Sequence, residues 1–101
     1  MINLNNSDDL ISEQGVIGLK FSASWCQPCK MMNGVIAKLE EEFDCVKFIS
    51  VDIDEVPDLA TKYSIKTVPT LVVLENGNEV NRVVGLSYIS NFRQLFNDLV
   101  G

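Results

Sequence analysis

Two cysteines separated by two residues are the side chains of this chain with the clearest capacity for chemistry. Cys26 and Cys29 lie in the segment Phe21-Ser-Ala-Ser-Trp-Cys-Gln-Pro-Cys-Lys30, which leaves a predicted strand and enters a predicted helix. Unpaired N–H groups and the helix dipole stabilise a thiolate at a helix start, and the thiolate is the nucleophilic form of cysteine. The spacing brings both thiols within bonding reach, so Cys29 can attack a mixed disulfide formed at Cys26. A C-x-x-C motif beside a βαβ pattern is typical of a redox site.

A structural zinc site is the main alternative for this pair. Structural zinc usually binds four ligands drawn from cysteine and histidine. The chain has no histidine and three cysteines in all, so the donor set is incomplete and we expect no metal site. The third cysteine, Cys45, is expected to be a partly buried apolar residue at the start of a strand, with a regulatory thiol as the alternative. Asp52 and Asp54 are interpreted as solvated charges at a strand end rather than as metal ligands.

The elements that would position the cysteines follow from hydrophobic periodicity and from turn residues. Apolar residues at helical spacing predict an amphipathic helix that begins at Cys29. Asn76-Gly77-Asn78 between two apolar runs predicts a hairpin, because Asn-Gly suits a turn with positive φ. Strands are predicted at residues 2–4, 16–23, 46–53, 70–75 and 79–84, and helices at residues 7–15, 29–43, 57–63 and from about 89 to 99.

The order of these elements is βαβαβ, then a helix, then ββα. The first part requires parallel strands joined by helical crossovers, and the hairpin adds an antiparallel pair. We therefore expect an α/β fold with a mixed central sheet and helices on both faces. A length of 101 residues suits one domain, which we place over residues 1–101.

The charge distribution restricts the possible partners. The chain carries 14 acidic and eight basic residues, for a net charge of −6, and the basic residues are scattered along it. A nucleic-acid backbone or an anionic membrane would require a basic stripe, so neither is an expected partner. The polar first ten residues do not resemble a secretory signal, and we expect a monomer in the reducing cytosol.

Three segments together resemble the thioredoxin family. Trp25-Cys26-Gln27-Pro28-Cys29-Lys30 resembles the active-site motif of thioredoxins. Val68-Pro69-Thr70 is similar to their substrate-facing proline loop, and Val84-Gly85 to the glycine that completes the rim. The resemblance extends from about residue 2 to residue 99, with the elements in the same order.

This resemblance implies a thioredoxin fold and a cycle of disulfide reduction. Cys26 would attack a disulfide in a protein substrate, Cys29 would resolve the mixed disulfide, and thioredoxin reductase or an equivalent donor would restore the dithiol. No cofactor is implied beyond a redox-active Cys26–Cys29 disulfide. The resemblance also implies a cis peptide bond between Val68 and Pro69, which few X–Pro bonds adopt. The residues implied to contact substrate are Trp25, Val68, Pro69 and Gly85.

Lys20, Gln27 and Pro28 are expected to modulate catalysis, and several positions depart from the family pattern. Gln27 replaces the usual glycine beside Pro28, and Gly34 replaces a helix proline. Lys20 replaces a buried aspartate, and the lysine that usually accompanies that aspartate falls at Ser50. We expect Lys20 to stay charged by extending its long stem to water. A charged Lys20 would favour the thiolates and make the protein a weaker reductant than thioredoxin, whose potential is about −270 mV.

Two other functions are compatible with the sequence. An oxidase or isomerase could use the same fold and the same cysteines. Alternatively, a binding module could use an apolar rim of Trp25, Pro69 and Gly85 to dock a larger protein. We expect Trp25 to be a partly exposed aromatic beside the thiol, with core packing as the alternative. Met31 and Met32 are both expected to be packing residues.

Overall fold

A computed structural model describes residues 1–4 and 14–100 of the chain. The predicted helix at residues 7–15 therefore falls almost entirely outside the described residues. The described strands are β1 (Ile2–Asn3), β2 (Val16–Ser22), β3 (Val46–Asp52), β4 (Thr70–Glu75) and β5 (Asn78–Val84). The described helices are α1 (Gln27–Glu42), α2 (Pro57–Lys62) and α3 (Ile89–Val100).

The five strands form one mixed sheet in the order β1-β3-β2-β4-β5. β2 pairs in parallel with β3 and antiparallel with β4, and β4 pairs antiparallel with β5. The mixed α/β sheet predicted from the sequence is confirmed. β2 is the central strand, and all seven of its residues are buried because both faces of the sheet are covered.

Each face of the sheet has its own apolar core. On one face, α1 and α3 pack against the sheet, with Phe92 and Phe96 of α3 fully buried. Burying an aromatic side chain of this kind stabilises the fold by roughly 1.5–3 kcal/mol. The other face holds a second cluster that includes Leu59 of α2. The members of this second core are Leu4, Ile17, Leu19, Phe21, Ile49, Val51, Val56, Leu59, Val72 and Leu74.

Gly18 allows a close contact within the first of these cores. A Cβ atom at Gly18 would lie 2.9 Å from Cδ1 of Phe48, closer than packed carbon atoms approach. Phe48 in turn packs edge-on against Phe96, with ring centroids 5.3 Å apart. The absence of a side chain at Gly18 therefore leaves room for an aromatic pair that joins the sheet to α3.

The hairpin between β4 and β5 has the turn that its sequence predicts. Asn76 and Gly77 have φ values of 50° and 87°, so both central residues have positive φ. β5 begins at Asn78, one residue earlier than predicted. In the part of the chain that the structure describes, no helix is long and apolar enough to cross a membrane.

Candidate active site

Cys26 and Cys29 form a disulfide across the first turn of α1. Their Cα atoms are 5.3 Å apart, within the usual range of about 4.4–6.8 Å. Cys26 is the N-cap of the helix, and its Sγ accepts the backbone N–H of Cys29 at 3.3 Å. Pro28 lies in the first turn, where its missing N–H removes no helical hydrogen bond. α1 therefore begins at Gln27, two residues before the predicted start.

The position of Cys26 suits a nucleophile. Its Sγ lies at the N-terminus of a 16-residue helix, where free N–H groups and the dipole favour a thiolate once the disulfide is reduced. Cys26 and Cys29 are both buried and form a small apolar cluster with Ala23, against which Ile53 and Val68 pack. The two sulfurs are therefore mostly covered. A substrate disulfide has to contact the surface formed by the neighbouring loops in order to reach them.

The loop before β4 lies against Cys26. The Val68–Pro69 peptide bond is cis, as the resemblance implied. The Cys26 Sγ lies 3.7 Å from the carbonyl oxygen of Val68. The Pro69 carbonyl accepts the N–H of Gly85 at 2.7 Å, and Gly85 has a φ of 87°, which glycine adopts without steric cost. Val68 and Gly85 are half-buried and Pro69 is buried, so the Pro69 ring contributes little exposed surface to the rim.

Trp25 is an exposed aromatic side chain directly before Cys26. It is 68% exposed, so the expectation of an exposed aromatic is confirmed and core packing is excluded. Its Nε1–H donates to Oδ2 of Asp54 at 3.2 Å. Asp52 in turn accepts the N–H groups of Asp54 and Glu55 through Oδ1, at 2.8 and 3.3 Å, and so fixes the turn after β3. The contact between Asp54 and Trp25 was not predicted, because the two residues are 29 positions apart in the chain.

Lys20 is buried beneath this surface, so the expectation that its long stem extends outward to bulk solvent was wrong. Only 3% of Lys20 is exposed, because it lies on the central strand and both faces of the sheet are covered. Its Nζ donates a hydrogen bond to Oδ1 of Asn33 on α1. Burial lowers the pKa of the Lys20 amine from its ordinary value of 10.5. Asn33 was not identified from the sequence, although it lies four residues after Cys29 and hence on the same side of α1.

A polar cavity of about 350 Å³ connects Lys20 to the buried cysteine. Lys20, Cys29, Asn33 and Ser50 all line it, and Ser50 lies opposite Lys20 in the β2–β3 register. Asp52 also lines this cavity, as do Glu55, Lys30 and the N-terminal residue. A polar cavity of this size can hold water, so Cys29 has a route by which a proton could be exchanged with solvent.

The remaining sequence-derived candidates lie at different places. Gln27 is exposed at the start of α1, beside the disulfide. Cys45 is exposed, so the expectation of partial burial was wrong. It lies in the turn between α1 and β3, where Phe43 and Val46 point inward. Met32 is fully buried, as expected, whereas Met31 is 60% exposed and does not pack in the core. Over residues 1–4 and 14–100, no cluster of three metal-ligating Cys, His, Asp or Glu side chains occurs.

Comparisons with known proteins agree with this geometry. Residues 2–98 match the thioredoxin family. Thioredoxin H5 of rice (Oryza sativa) is 37% identical over 84 residues, which make up 82% of this chain and 62% of the rice protein. The chain thus spans less than two thirds of that relative. The thioredoxin of Chlamydia caviae is 36% identical over 96% of this chain and 94% of its own length.

A solved structure has the same fold. The crystal structure of Fasciola hepatica thioredoxin superposes with a TM-score of 0.88 at 30% identity, covering 98% of this chain and 99% of that chain. The thioredoxin fold implied by the active-site motif and the proline loop is therefore confirmed.

Proposed function

Because the chain belongs to the thioredoxin family, we propose that it is a thiol–disulfide oxidoreductase that reduces disulfide bonds in other proteins. The observation that carries this proposal is the Cys26–Cys29 disulfide at the N-terminus of α1, with the Cys26 sulfur beside the Val68 carbonyl. The disulfide is the oxidised form of the working pair, and the dithiol is the form that donates electrons. No separate cofactor is needed, since the two sulfurs carry the electron pair themselves.

The first half of the cycle forms a mixed disulfide. The Cys26 thiolate attacks one sulfur of a substrate disulfide, and the other substrate sulfur leaves as a thiolate that takes a proton from solvent. The start of α1 favours the attacking thiolate, because its N–H groups are oriented toward the Cys26 sulfur. The Cys29 N–H, which lies 3.3 Å from that sulfur, is one of these donors.

The second half releases the substrate. Cys29 loses its proton and attacks the Cys26 sulfur, which frees the second substrate thiolate and closes the Cys26–Cys29 disulfide. Two electrons have then passed from the protein to the substrate. Lys20 and Asn33 line the cavity beside Cys29, through which the proton lost by Cys29 reaches water.

The surface around the sulfur orients the substrate. Val68, the Pro69 carbonyl and Gly85 form one connected edge, held by the 2.7 Å hydrogen bond between Pro69 and Gly85. Trp25 directly precedes Cys26, and the hydrogen bond to Asp54 holds its exposed ring. A substrate segment that lies against this edge presents its disulfide to the Cys26 sulfur.

Regeneration requires an external donor of two electrons. The proposed donor is a thioredoxin reductase or an equivalent dithiol system, and the proposed setting is the cytosol, where such systems keep thiols reduced. We propose further that the chain acts there as a monomer.

Catalysed reduction of insulin disulfides by dithiothreitol tests the proposal. We expect the wild-type protein to accelerate the reaction and Cys26→Ser to abolish the acceleration, because the nucleophile is lost. Cys45→Ser is the matched control and retains most of the activity, since Cys45 is exposed in a turn away from the disulfide. Inactivation by Cys45→Ser, or full activity of Cys26→Ser, would refute the assignment of the working pair.

A further inference from the structure

Three large apolar side chains that are open to solvent line a single groove. Met31 is 60% exposed, Leu86 43% and Tyr88 82%. The groove lies between α1 and the segment that joins β5 to α3, and its volume is about 400 Å³. Exposed apolar residues scattered singly are ordinary, but a contiguous group marks an interaction surface. The volume lies within the roughly 300–1,000 Å³ of typical ligand pockets.

Gly34 keeps this groove open. It lies on α1, on the groove side, and a Cβ atom built there would meet nothing within 4 Å. Glycine inside a helix costs roughly 0.5–1 kcal/mol relative to alanine, and its φ here is not positive, so the backbone does not require it. Any larger residue at position 34 would project its side chain into the groove, and glycine leaves that space empty.

The groove begins next to the edge that faces the Cys26 sulfur, because Leu86, one of its lining residues, follows Gly85 in the chain. The N–H of Gly85 is bonded to the Pro69 carbonyl. Met31 lies two residues after Cys29 on α1. A substrate chain seated against the Pro69–Gly85 edge would therefore continue into the groove within a few residues of its own cysteine.

Among the residues that the structure describes, one basic side chain, that of Lys38, lines this groove. Lys38 is exposed and lies on α1. Over the described ranges, 1–4 and 14–100, no carboxylate forms an ion pair with it. No acidic side chain lines the groove, although the chain as a whole has a charge of −6. The local charge therefore favours a ligand that carries a carboxylate.

We propose that the groove between Met31, Gly34, Leu86 and Tyr88 binds an apolar side chain that flanks the cysteine of a protein substrate, next to a carboxylate that pairs with Lys38. This inference rests on the proposed reductase function and assigns it a substrate preference. The apolar side chain supplies most of the affinity, because an exposed ion pair contributes little on its own.

The test uses short synthetic peptides, each with one cysteine and joined as a symmetric disulfide dimer. One peptide carries leucine and glutamate close to the cysteine, a second carries leucine and lysine, and a third carries serine and glutamate at the same positions. Each set is made with the flanking residues before and after the cysteine. Bis(2-hydroxyethyl) disulfide, which has no flanking residues, is the reference substrate. The measured quantity is the second-order rate constant for oxidation of the reduced protein, divided by that for the reference.

The groove predicts a definite order of these ratios. In at least one set, the ratio for the leucine–glutamate peptide is about tenfold higher than the ratio for the serine–glutamate peptide. It is roughly 1.5- to 5-fold higher than the ratio for the leucine–lysine peptide. Lys38→Glu reverses the preference between glutamate and lysine peptides, whereas Lys62→Glu, the matched reversal on α2, leaves it in place. Gly34→Leu fills the groove and removes the leucine preference, and its far-UV circular dichroism verifies that α1 is intact.

The outcomes separate the inference from the function on which it rests. A protein that fails to react even with the reference disulfide would overturn the proposed reductase function. Reaction with the reference, combined with equal ratios for all peptides and no effect of Lys38→Glu, would overturn the groove and leave the reductase function standing.

Discussion

Lys20 is the residue at which burial and charge conflict most directly. It is almost fully covered, and its described partner is the neutral amide oxygen of Asn33 rather than a carboxylate. Burial disfavours the charged amine, and this is the cause of its lowered pKa. The polar cavity beside it reduces that cost by admitting water. The cost of burying the Lys20 amine therefore depends on the same polar cavity that Cys29 lines.

The lowered pKa of Lys20 predicts a pH-dependent cost to the folded state. Between the lowered folded pKa and the ordinary 10.5, the unfolded chain binds more protons, so stability rises with pH in that window. Lys20→Met removes the amine and should raise the free energy of unfolding at pH 7. The gap between the variant and the wild type should shrink as the pH approaches 10.5.

Urea unfolding of the oxidised proteins at pH 7 and pH 10 measures this gap. Lys66→Met, which removes an exposed amine, is the control. A Lys20→Met gap of the same size at both pH values would show that the Lys20 amine is hydrated in the folded protein.

The two cysteines should also differ in a trapping experiment. With Cys29→Ala, we expect Cys26 to attack a substrate disulfide and remain bound, because no thiol can resolve the adduct. Non-reducing electrophoresis after incubation with oxidised insulin should show this adduct, and reductant should remove it. Stable adducts formed by Cys26→Ala, and absent with Cys29→Ala, would reverse the assigned roles.

The sequence predicts the secondary-structure elements well where their determinants are local. Asn76-Gly77 defines the hairpin turn, and the strand at residues 70–75 has the predicted bounds. The pattern predicts a start of α1 two residues too late, because the cysteine Sγ itself caps the helix and cysteine is not a usual cap. Features that depend on tertiary packing were not predicted. The side chain of Lys20 is polar, and it is buried only because other elements pack on both faces of the sheet.

Two glycines test the packing of the sheet against the helices. Gly18→Ala would place a Cβ 2.9 Å from Phe48, and the overpacking should cost about 1–3 kcal/mol of unfolding free energy. Gly34→Ala, on an open helical surface, should instead add roughly 0.5–1 kcal/mol. Thermal or urea unfolding of the two variants measures both changes. A Gly18→Ala protein as stable as the wild type would show that Phe48 can move aside at no cost.

At the scale of the whole molecule, the fold brings distant segments to one edge. Cys26 at the start of α1 and Val68 in the loop before β4 are 42 residues apart in the chain, yet the Cys26 sulfur contacts the Val68 carbonyl. The motif and the proline loop could be identified from the sequence through their resemblance to thioredoxins. The links from Trp25 to Asp54 and from Lys20 to Asn33 could not, because they depend on how the turn after β3 and the helix pack.

The reduction potential of the Cys26–Cys29 pair tests the central claim most directly. It is obtained by equilibrating the protein with glutathione or dithiothreitol redox buffers and quantifying the dithiol fraction. A protein that reduces disulfides should have a potential of about −270 to −200 mV, the range of reducing dithiol proteins. Cys45→Ser should have the same value, since Cys45 lies outside the pair. A value near −120 mV, typical of a strong oxidant, would contradict the account and indicate disulfide formation rather than reduction.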